Sequence, residues 1–327
     1  MNCLCCGKPI VNASETEQAN QWHKSCIKLF FGISQFPEIE LSDDMLEALA
    51  VKSTSEGYTV TGVQKKLSLN LSRDNDNAKP RLTFVNYPVG YILKPQTDEY
   101  RNLPEAEYSV MRMAGAVGIK TVPFALVKIK EKREFAYITK RIDRGKSKDG
   151  KTIMLAMEDF CQLDKRLTAD KYKGSYERCG KIVSEYSYRK RLDMTELFLR
   201  IVFSFAVGNS DMHLKNFSLI ETNEGSAEYF LSAAYDLLPV NILLPEDEDE
   251  MALTVNGKKR NLRRNDFMAL AENFGIDSKT ASRLIDSVTK KEKILIRYCR
   301  ESLLPGEIKE MFENLIVRRI ARLSNQQ

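Results

Sequence analysis

The stretch Gly208-Asn209-Ser210-Asp211-Met212-His213-Leu214-Lys215-Asn216 follows directly on an apolar helical run, residues 194–207. An Asp and an Asn five residues apart offer a carboxylate that can take up a proton and an amide oxygen suited to a hard cation such as magnesium. Alone, the D-x-x-x-x-N pair carries little information, because it recurs by chance in long chains. Its weight depends on what flanks it.

Downstream, after a hairpin expected at Asn216–Ile220 and Tyr229–Leu231, comes Tyr235-Asp236-Leu237-Leu238-Pro239. Asp236 supplies a second carboxylate, although by itself it reads equally as a turn or helix N-cap residue. Upstream, Tyr91-Ile92-Leu93-Lys94 is an apolar strand ending in a lysine, and Glu107 lies on the next helix. In isolation Lys94 reads as an exposed strand end. Further upstream, Thr59-Val60-Thr61-Gly62-Val63-Gln64-Lys65-Lys66, with Gly57 before it, sets small residues and basic charge ahead of a strand. It is neither G-x-G-x-x-G nor a Walker A loop.

Periodicity divides the chain. A helix is expected near Asp43–Lys52, strands at Gln64–Leu71, Leu82–Val85 and Tyr91–Lys94, and a turn at Asp74–Asn77. Pro104–Val117 reads as a helix, with Pro at its first position and Gly118 ending it. A hairpin is expected from Pro123–Lys130 and Glu134–Arg141, then a polar loop Arg144–Thr152. From about Met154 strand signals nearly vanish. Helices are expected at Asp193–Val207, Asn265–Phe274, Ser278–Val288, Glu292–Leu303 and Glu307–Leu323. Asp193 with Glu196 resembles a capping box. The expected class is α+β: a short segment 1–33, a strand-rich lobe 34–141 and a helical lobe 142–327.

Catalytic Asp–Asn loop, later Asp, strand lysine with helix glutamate and small-residue loop are together the parts of a two-lobed kinase. In order, the boxes TGVQKKLSL (61–69), YILKPQ (91–96), Arg141-Ile142-Asp143-Arg144, MEDFCQ (157–162), GNSDMHLKNFS (208–218) and AYDLLP (234–239) resemble the HipA-like serine/threonine kinases, toxins of bacterial toxin–antitoxin systems. The resemblance implies Asp211 as catalytic base, Asn216 and Asp236 as magnesium ligands, and Lys94 on the ATP phosphates. It also implies that Thr61, Gly62, Val63, Gln64, Lys65 and Lys66 cover the nucleotide. Lys140, Arg141, Ile142 and Asp143 would border adenine and ribose, Tyr235 would flank Asp236, and His213 would shape the loop without acting as a base. Only a short segment and a helix precede the nucleotide loop, as in the truncated HipT-like toxins of HipBST systems. There the missing N-terminal subdomain is supplied by a separate small protein. Thr59 and Thr61 stand where family members carry a phosphorylatable Ser. The implied partners are antitoxin proteins and, as substrate, a translation protein such as an aminoacyl-tRNA synthetase. No motif matches the DNA-contacting role of some members. The competing reading is a pseudokinase that binds without transferring phosphate, against which the full set Lys94, Asp211, Asn216 and Asp236 argues.

Of seven Cys in the chain, Cys3, Cys5, Cys6 and Cys26 lie at the N-terminus. Cys3-x-x-Cys6 and His23-x-x-Cys26 are two chelating pairs matching a closed, structural zinc site, although Cys5 is an alternative ligand. The two His of the chain are His23 and His213, so a zinc-bound His23 leaves carboxylates or His213 as general bases. At 327 residues and 43% hydrophobic the chain can bury a large core, which excludes a disordered or fibrous protein. A formal +5 from 50 basic and 45 acidic residues is no nucleic-acid footprint, which disfavours a zinc-ribbon nucleic-acid binder. Without a membrane-length apolar run or a signal peptide, a soluble cytoplasmic protein is expected.

Overall fold

The computed structural model describes residues 1–39, 66–72, 79–84, 90–129, 134–146 and 152–324. The expected helix at Asp43–Lys52 and turn at Asp74–Asn77 lie outside them, as do Thr59, Thr61, Gly62, Val63, Gln64 and Lys65. The described chain forms two compact units. One holds Met1–Tyr108 and Val122–Arg144, the other Ser109–Thr121 and Gly145–Gln327.

The first unit is built on a six-stranded sheet of order β1-β3-β2-β4-β6-β5. Its strands are β1 Glu38–Ile39, β2 Leu67–Ser72, β3 Arg81–Phe84, β4 Tyr91–Lys94, β5 Phe124–Ile129 and β6 Glu134–Lys140. All pair antiparallel except β1, which runs parallel to β3. Alternation places Leu67, Leu69, Tyr91 and Leu93 in the core. The N-terminal segment belongs to this unit. Helices α1 (Glu15–Asn20) and α2 (Lys24–Phe31) lead Trp22, Phe30 and Phe31 into ring contact with one another and bring Phe30 and Phe31 onto Tyr91. Trp22 Nε1 donates to the Leu126 carbonyl, and the Leu126 amide to the Leu4 carbonyl. Helix α3 (Leu103–Ala116) begins in this unit and carries Glu107.

The second unit centres on α6 (Lys190–Ala206), reached through α4 (Phe160–Leu163) and α5 (Tyr176–Tyr186). Leu197, Phe198, Ile201, Val202, Phe203 and Phe205 are all fully buried, so α6 is covered on all sides past its exposed first turn. Around it lie α7 (Val240–Leu243), α8 (Arg264–Asn273), α9 (Ser278–Thr289), α10 (Glu292–Arg300) and α11 (Gly306–Ser324). The mixed α+β class is as the sequence predicts, with local differences. Arg144–Lys146 (β7) and Thr152–Met154 (β8) form a two-stranded ribbon at the ends of the expected loop. Met157–Asp159 (β9) adds a third strand to the hairpin of β10 (Ser218–Glu221) and β11 (Tyr229–Leu231).

Asp193 does not cap α6, which starts three residues earlier at Lys190. Instead its buried carboxylate accepts from Ser187 Oγ, Arg189 and the Leu231 amide, while Glu196 bonds Arg200 one turn on. Asp193 thus makes a tertiary contact to β11, and Glu196 an ion pair within its own helix. The capping box in this region is Asp159 with Gln162, at the start of α4.

Candidate active site

The loop between α6 and β10 is shaped by its own backbone. Gly208 ends the helix with φ +69°, a left-handed conformation that favours glycine, and its carbonyl accepts the Asn241 amide. Asn209 Oδ1 receives the Asp211 amide at 3.3 Å, and Ser210 Oγ donates to Asp247 at 2.8 Å. The Asp211 carbonyl accepts twice, from the His213 amide at 2.8 Å and from Asn216 Nδ2 at 2.8 Å. Buried Met212, Leu214 and Phe217 hold the turn to the core. Tyr176 Oη donates to the Met212 carbonyl, and Phe217 stacks on Phe160 with centroids 5.5 Å apart.

This pinning leaves the Asp211 side chain 34% exposed. Tyr172 Oη donates to Asp211 Oδ1 at 2.5 Å, and His213 Nε2 lies 3.9 Å from the same oxygen. With its amide nitrogen committed to the Asp211 carbonyl, Asn216 has Oδ1 as the atom that could hold a metal. Tyr235 carries Asp236 to this loop, its hydroxyl bonding Ser218 Oγ at 2.5 Å and the Lys215 carbonyl at 3.1 Å. Asp236 itself sits at φ +59°, so it is no helix N-cap. Burial raises the Tyr172 phenol well above its ordinary value, and the charges of Asp211, Asp247 and Asp236 raise it further. Three carboxylates therefore act on one phenol. That is an acidic site built from hard oxygen donors, which fits magnesium.

In the first unit, Lys94 is 3% exposed, not a solvated strand end, and its Nζ meets Glu107 Oε1 at 2.6 Å. The Tyr137 ring lies beneath the ammonium at 5.3 Å. Just past β6, Asp143 is gripped by Arg141 at 3.0 and 2.6 Å and by Arg144 at 2.7 Å. Lys140 pairs with Tyr91, the Arg141 amide donates to the Gly90 carbonyl, and Ile142 is half-buried. Lys66 is exposed at the start of β2.

Cys3, Cys6, His23 and Cys26 bring their ligand atoms within 4.8 Å of one another, and Cys5 is not in the group. His23 Nδ1 stands 3.4 Å from Cys6 Sγ and 3.7 Å from Cys26 Sγ, while Nε2 reaches the Pro9 carbonyl at 3.2 Å. A tetrahedral zinc with bonds of about 2.3 Å sets its ligands about 3.8 Å apart, so the four fit a metal. The Pro9 contact fixes the tautomer, turning the Nδ1 lone pair to the thiols. Gly7, at φ +70°, closes the Cys3–Cys6 turn by donating to the Cys3 carbonyl at 2.8 Å.

Residues 58–294 match the HipA-like C-terminal domain. The chain belongs to the HipA-like kinase family. A Haemophilus influenzae protein named "Putative kinase" is 26% identical over 297 residues, covering 82% of each chain. "Putative kinase Y4dM" of Sinorhizobium fredii is 31% identical over 67% of this chain, which spans just 53% of that relative's length. Among solved structures, HipA in the Shewanella oneidensis toxin–antitoxin complex with HipB and operator DNA superposes with TM-score 0.67 at 17% identity. That match covers 81% of this chain and 64% of the other. The Helicobacter pylori proinflammatory kinase CtkA matches with TM-score 0.53 at 15% identity, over 79% of this chain and 93% of its own. The HipA-like fold is thus shared with both.

Sequence spacing singled out Asp211, Asn216 and Asp236 but not Tyr172, Asn241 and Asp247, which contact the same loop. These reach the loop through tertiary contacts that leave no periodic signal. Among the described residues, no helix is long and apolar enough to cross a membrane.

Proposed function

We propose that this HipA-like chain is an ATP-dependent serine/threonine protein kinase and the toxin of a HipBA- or HipBST-like toxin–antitoxin system. The observation that carries the reading is the bond from Asn216 Nδ2 to the Asp211 carbonyl. It locks the two residues in the relation that a phosphoryl-transfer loop needs, with base carboxylate and metal-binding amide oxygen held on one short turn.

In this reading Asp211 accepts the proton of a substrate hydroxyl, and Asn216 Oδ1 and the Asp236 carboxylate hold magnesium. ATP would supply the phosphoryl group and magnesium would neutralise its developing charge. Lys94, oriented by Glu107, holds the α- and β-phosphates. Thr61, Gly62, Val63, Gln64, Lys65 and Lys66 cover the nucleotide, and Lys140, Arg141, Ile142 and Asp143 border its adenine and ribose. His213 is a shaping residue, since its amide and carbonyl build the turn. Cys3, Cys6, His23 and Cys26 hold a structural zinc, with no open position for water. Autophosphorylation falls on Thr59 or Thr61. The partner is an antitoxin protein, with no direct DNA contact by this chain. The substrate is a cytoplasmic translation protein of the aminoacyl-tRNA synthetase kind.

Cells expressing the wild-type chain or Asp211→Asn test this. Growth arrest and a new phosphoserine or phosphothreonine on a translation protein are expected with the wild type alone. Arrest by both, with identical phosphoproteomes, contradicts a kinase toxin.

A further inference from the structure

A group that touches Asp211 is left unexplained by the roles above. Tyr172 donates its phenolic proton to Asp211 Oδ1, which is the hydrogen bond a substrate hydroxyl must make before it gives up its proton. We propose that Tyr172 is a pseudosubstrate: its hydroxyl stands in for the acceptor hydroxyl at Asp211 and must be displaced by the serine or threonine of the true substrate. This rests on the kinase reading and adds to it the acceptor subsite and the group that guards it.

Local geometry suits a side chain that moves on a fixed backbone. Lys171, just before Tyr172, accepts the Leu214 amide at 3.2 Å, and Tyr176, just after, donates to the Met212 carbonyl at 2.9 Å. The segment is therefore stitched to the catalytic loop on both sides. Between these anchors Tyr172 is 39% exposed, so its ring has solvent to swing into. At rest the ring packs edge-on against His213, centroids 4.9 Å apart, with Lys171 Nζ over its face at 4.9 Å. These contacts hold the phenol in place without burying it.

Tyr172 is a stand-in and not itself a phosphate acceptor. A phosphate on its oxygen would add about −1.5 to −2 charges among Asp211, Asp236 and Asp247, the carboxylates already acting on the phenol. A neutral hydroxyl suits that place. A phosphate would be expelled from it.

The stand-in also keeps water from Asp211. With no protein substrate, water can act as acceptor: its oxygen bonds to the γ-phosphorus, the bond to the ADP oxygen breaks, and the water proton passes to Asp211. Tyr172 occupies the position that this water needs.

The test is hydrolysis of labelled ATP by the full chain with magnesium and no protein substrate, under single-turnover conditions, alongside ATP binding. Tyr172→Phe keeps the ring contacts and removes the hydroxyl. It is expected to bind ATP as the wild type does and to hydrolyse it roughly 3- to 10-fold faster, the factor one hydrogen bond is worth. Tyr172→Phe combined with Asp211→Asn should show no such gain. Hydrolysis that is unchanged or slower in Tyr172→Phe, with ATP binding intact, overturns the inference and leaves the kinase reading standing. Absence of ATP binding in wild type and variant alike removes the inference together with the reading it rests on.

Discussion

Lys94 Nζ lies 2.6 Å from Glu107 Oε1, with the two side chains 4% and 0% exposed. Taking both charges out of water costs several kcal/mol per ion, and a well-packed apolar pair would hold strand and helix together as well. The charges are therefore better explained by work done by the ammonium than by stability. Lys94→Met leaves the Glu107 carboxylate buried without its ammonium and should destabilise the chain by about 3–5 kcal/mol. Lys94→Met with Glu107→Leu should recover most of that loss in denaturant melts and still bind ATP poorly. A double variant that is stable and binds ATP normally would contradict the role given to Lys94.

Gly208 makes the second prediction. Its φ is +69°, and a Cβ there would lie 3.0 Å from both Leu315 Cδ atoms and 3.4 Å from Asn241 Cβ. Gly208→Ala meets backbone strain and a crowded core together, so a loss of about 1–3 kcal/mol is expected. Because the Gly208 carbonyl holds the Asn241 amide, phosphoryl transfer should fall even at temperatures where the variant stays folded. Full transfer in a folded Gly208→Ala would show that the loop tolerates this shift.

The third concerns metal. Freshly purified, reduced protein should hold one zinc per chain, and Cys26→Ser or a strong chelator should release it. The His23–Cys26 pair brackets the start of α2, whose Phe30 and Phe31 pack on Tyr91 of the sheet. Metal loss should therefore lower the melting temperature of the first unit and loosen β4, seen as faster amide exchange at residues 91–94. Zinc-free protein with the same melting curve would remove the structural role.

The fourth concerns Thr59 and Thr61. In the kinase reading, a phosphate on either would add about −1.5 to −2 charges that oppose the negative charge of ATP. ATP binding should weaken in Thr59→Asp and Thr61→Asp and persist in the Ala variants. Thr59 is expected to take the phosphate in preference to Thr61, being further in sequence from Gly62. Mass spectrometry of active and Asp211→Asn protein checks this: an unphosphorylated segment 59–61 in the active sample refutes it.

Much of the fold was legible because periodicity marks burial directly. Leu67, Leu69, Tyr91 and Leu93 alternate into the core as a strand should. Asp211, Asn216 and Asp236 stood out in the sequence for their spacing, and the structure sets Asp211 and Asn216 on one hydrogen-bonded turn. Helix α5 was missed although Cys179, Ile182 and Val183 have helical spacing and Ser175 caps the helix. Strand β9 was missed because its three residues are at most half-buried and are held by pairing with β10, which no local pattern announces. Asp193 with Glu196 misled for a related reason: the same residue types that cap a helix also satisfy buried tertiary donors. Tyr172 is a plain tyrosine until the fold brings Asp211 to it, from 39 residues away.

The central claim, that this chain transfers phosphate with Asp211 as base and Asp236 as metal ligand, is tested most directly by measuring ATP binding and phosphoryl transfer together. The comparison is of wild type, Asp211→Asn and Asp236→Asn in magnesium. Asp211→Asn should bind ATP as the wild type does while transfer falls by roughly 10²-fold or more, the worth of a positioned base. Asp236→Asn should lose both binding and transfer. Undiminished transfer in Asp211→Asn, or an equal loss of ATP binding in both variants, would contradict the account.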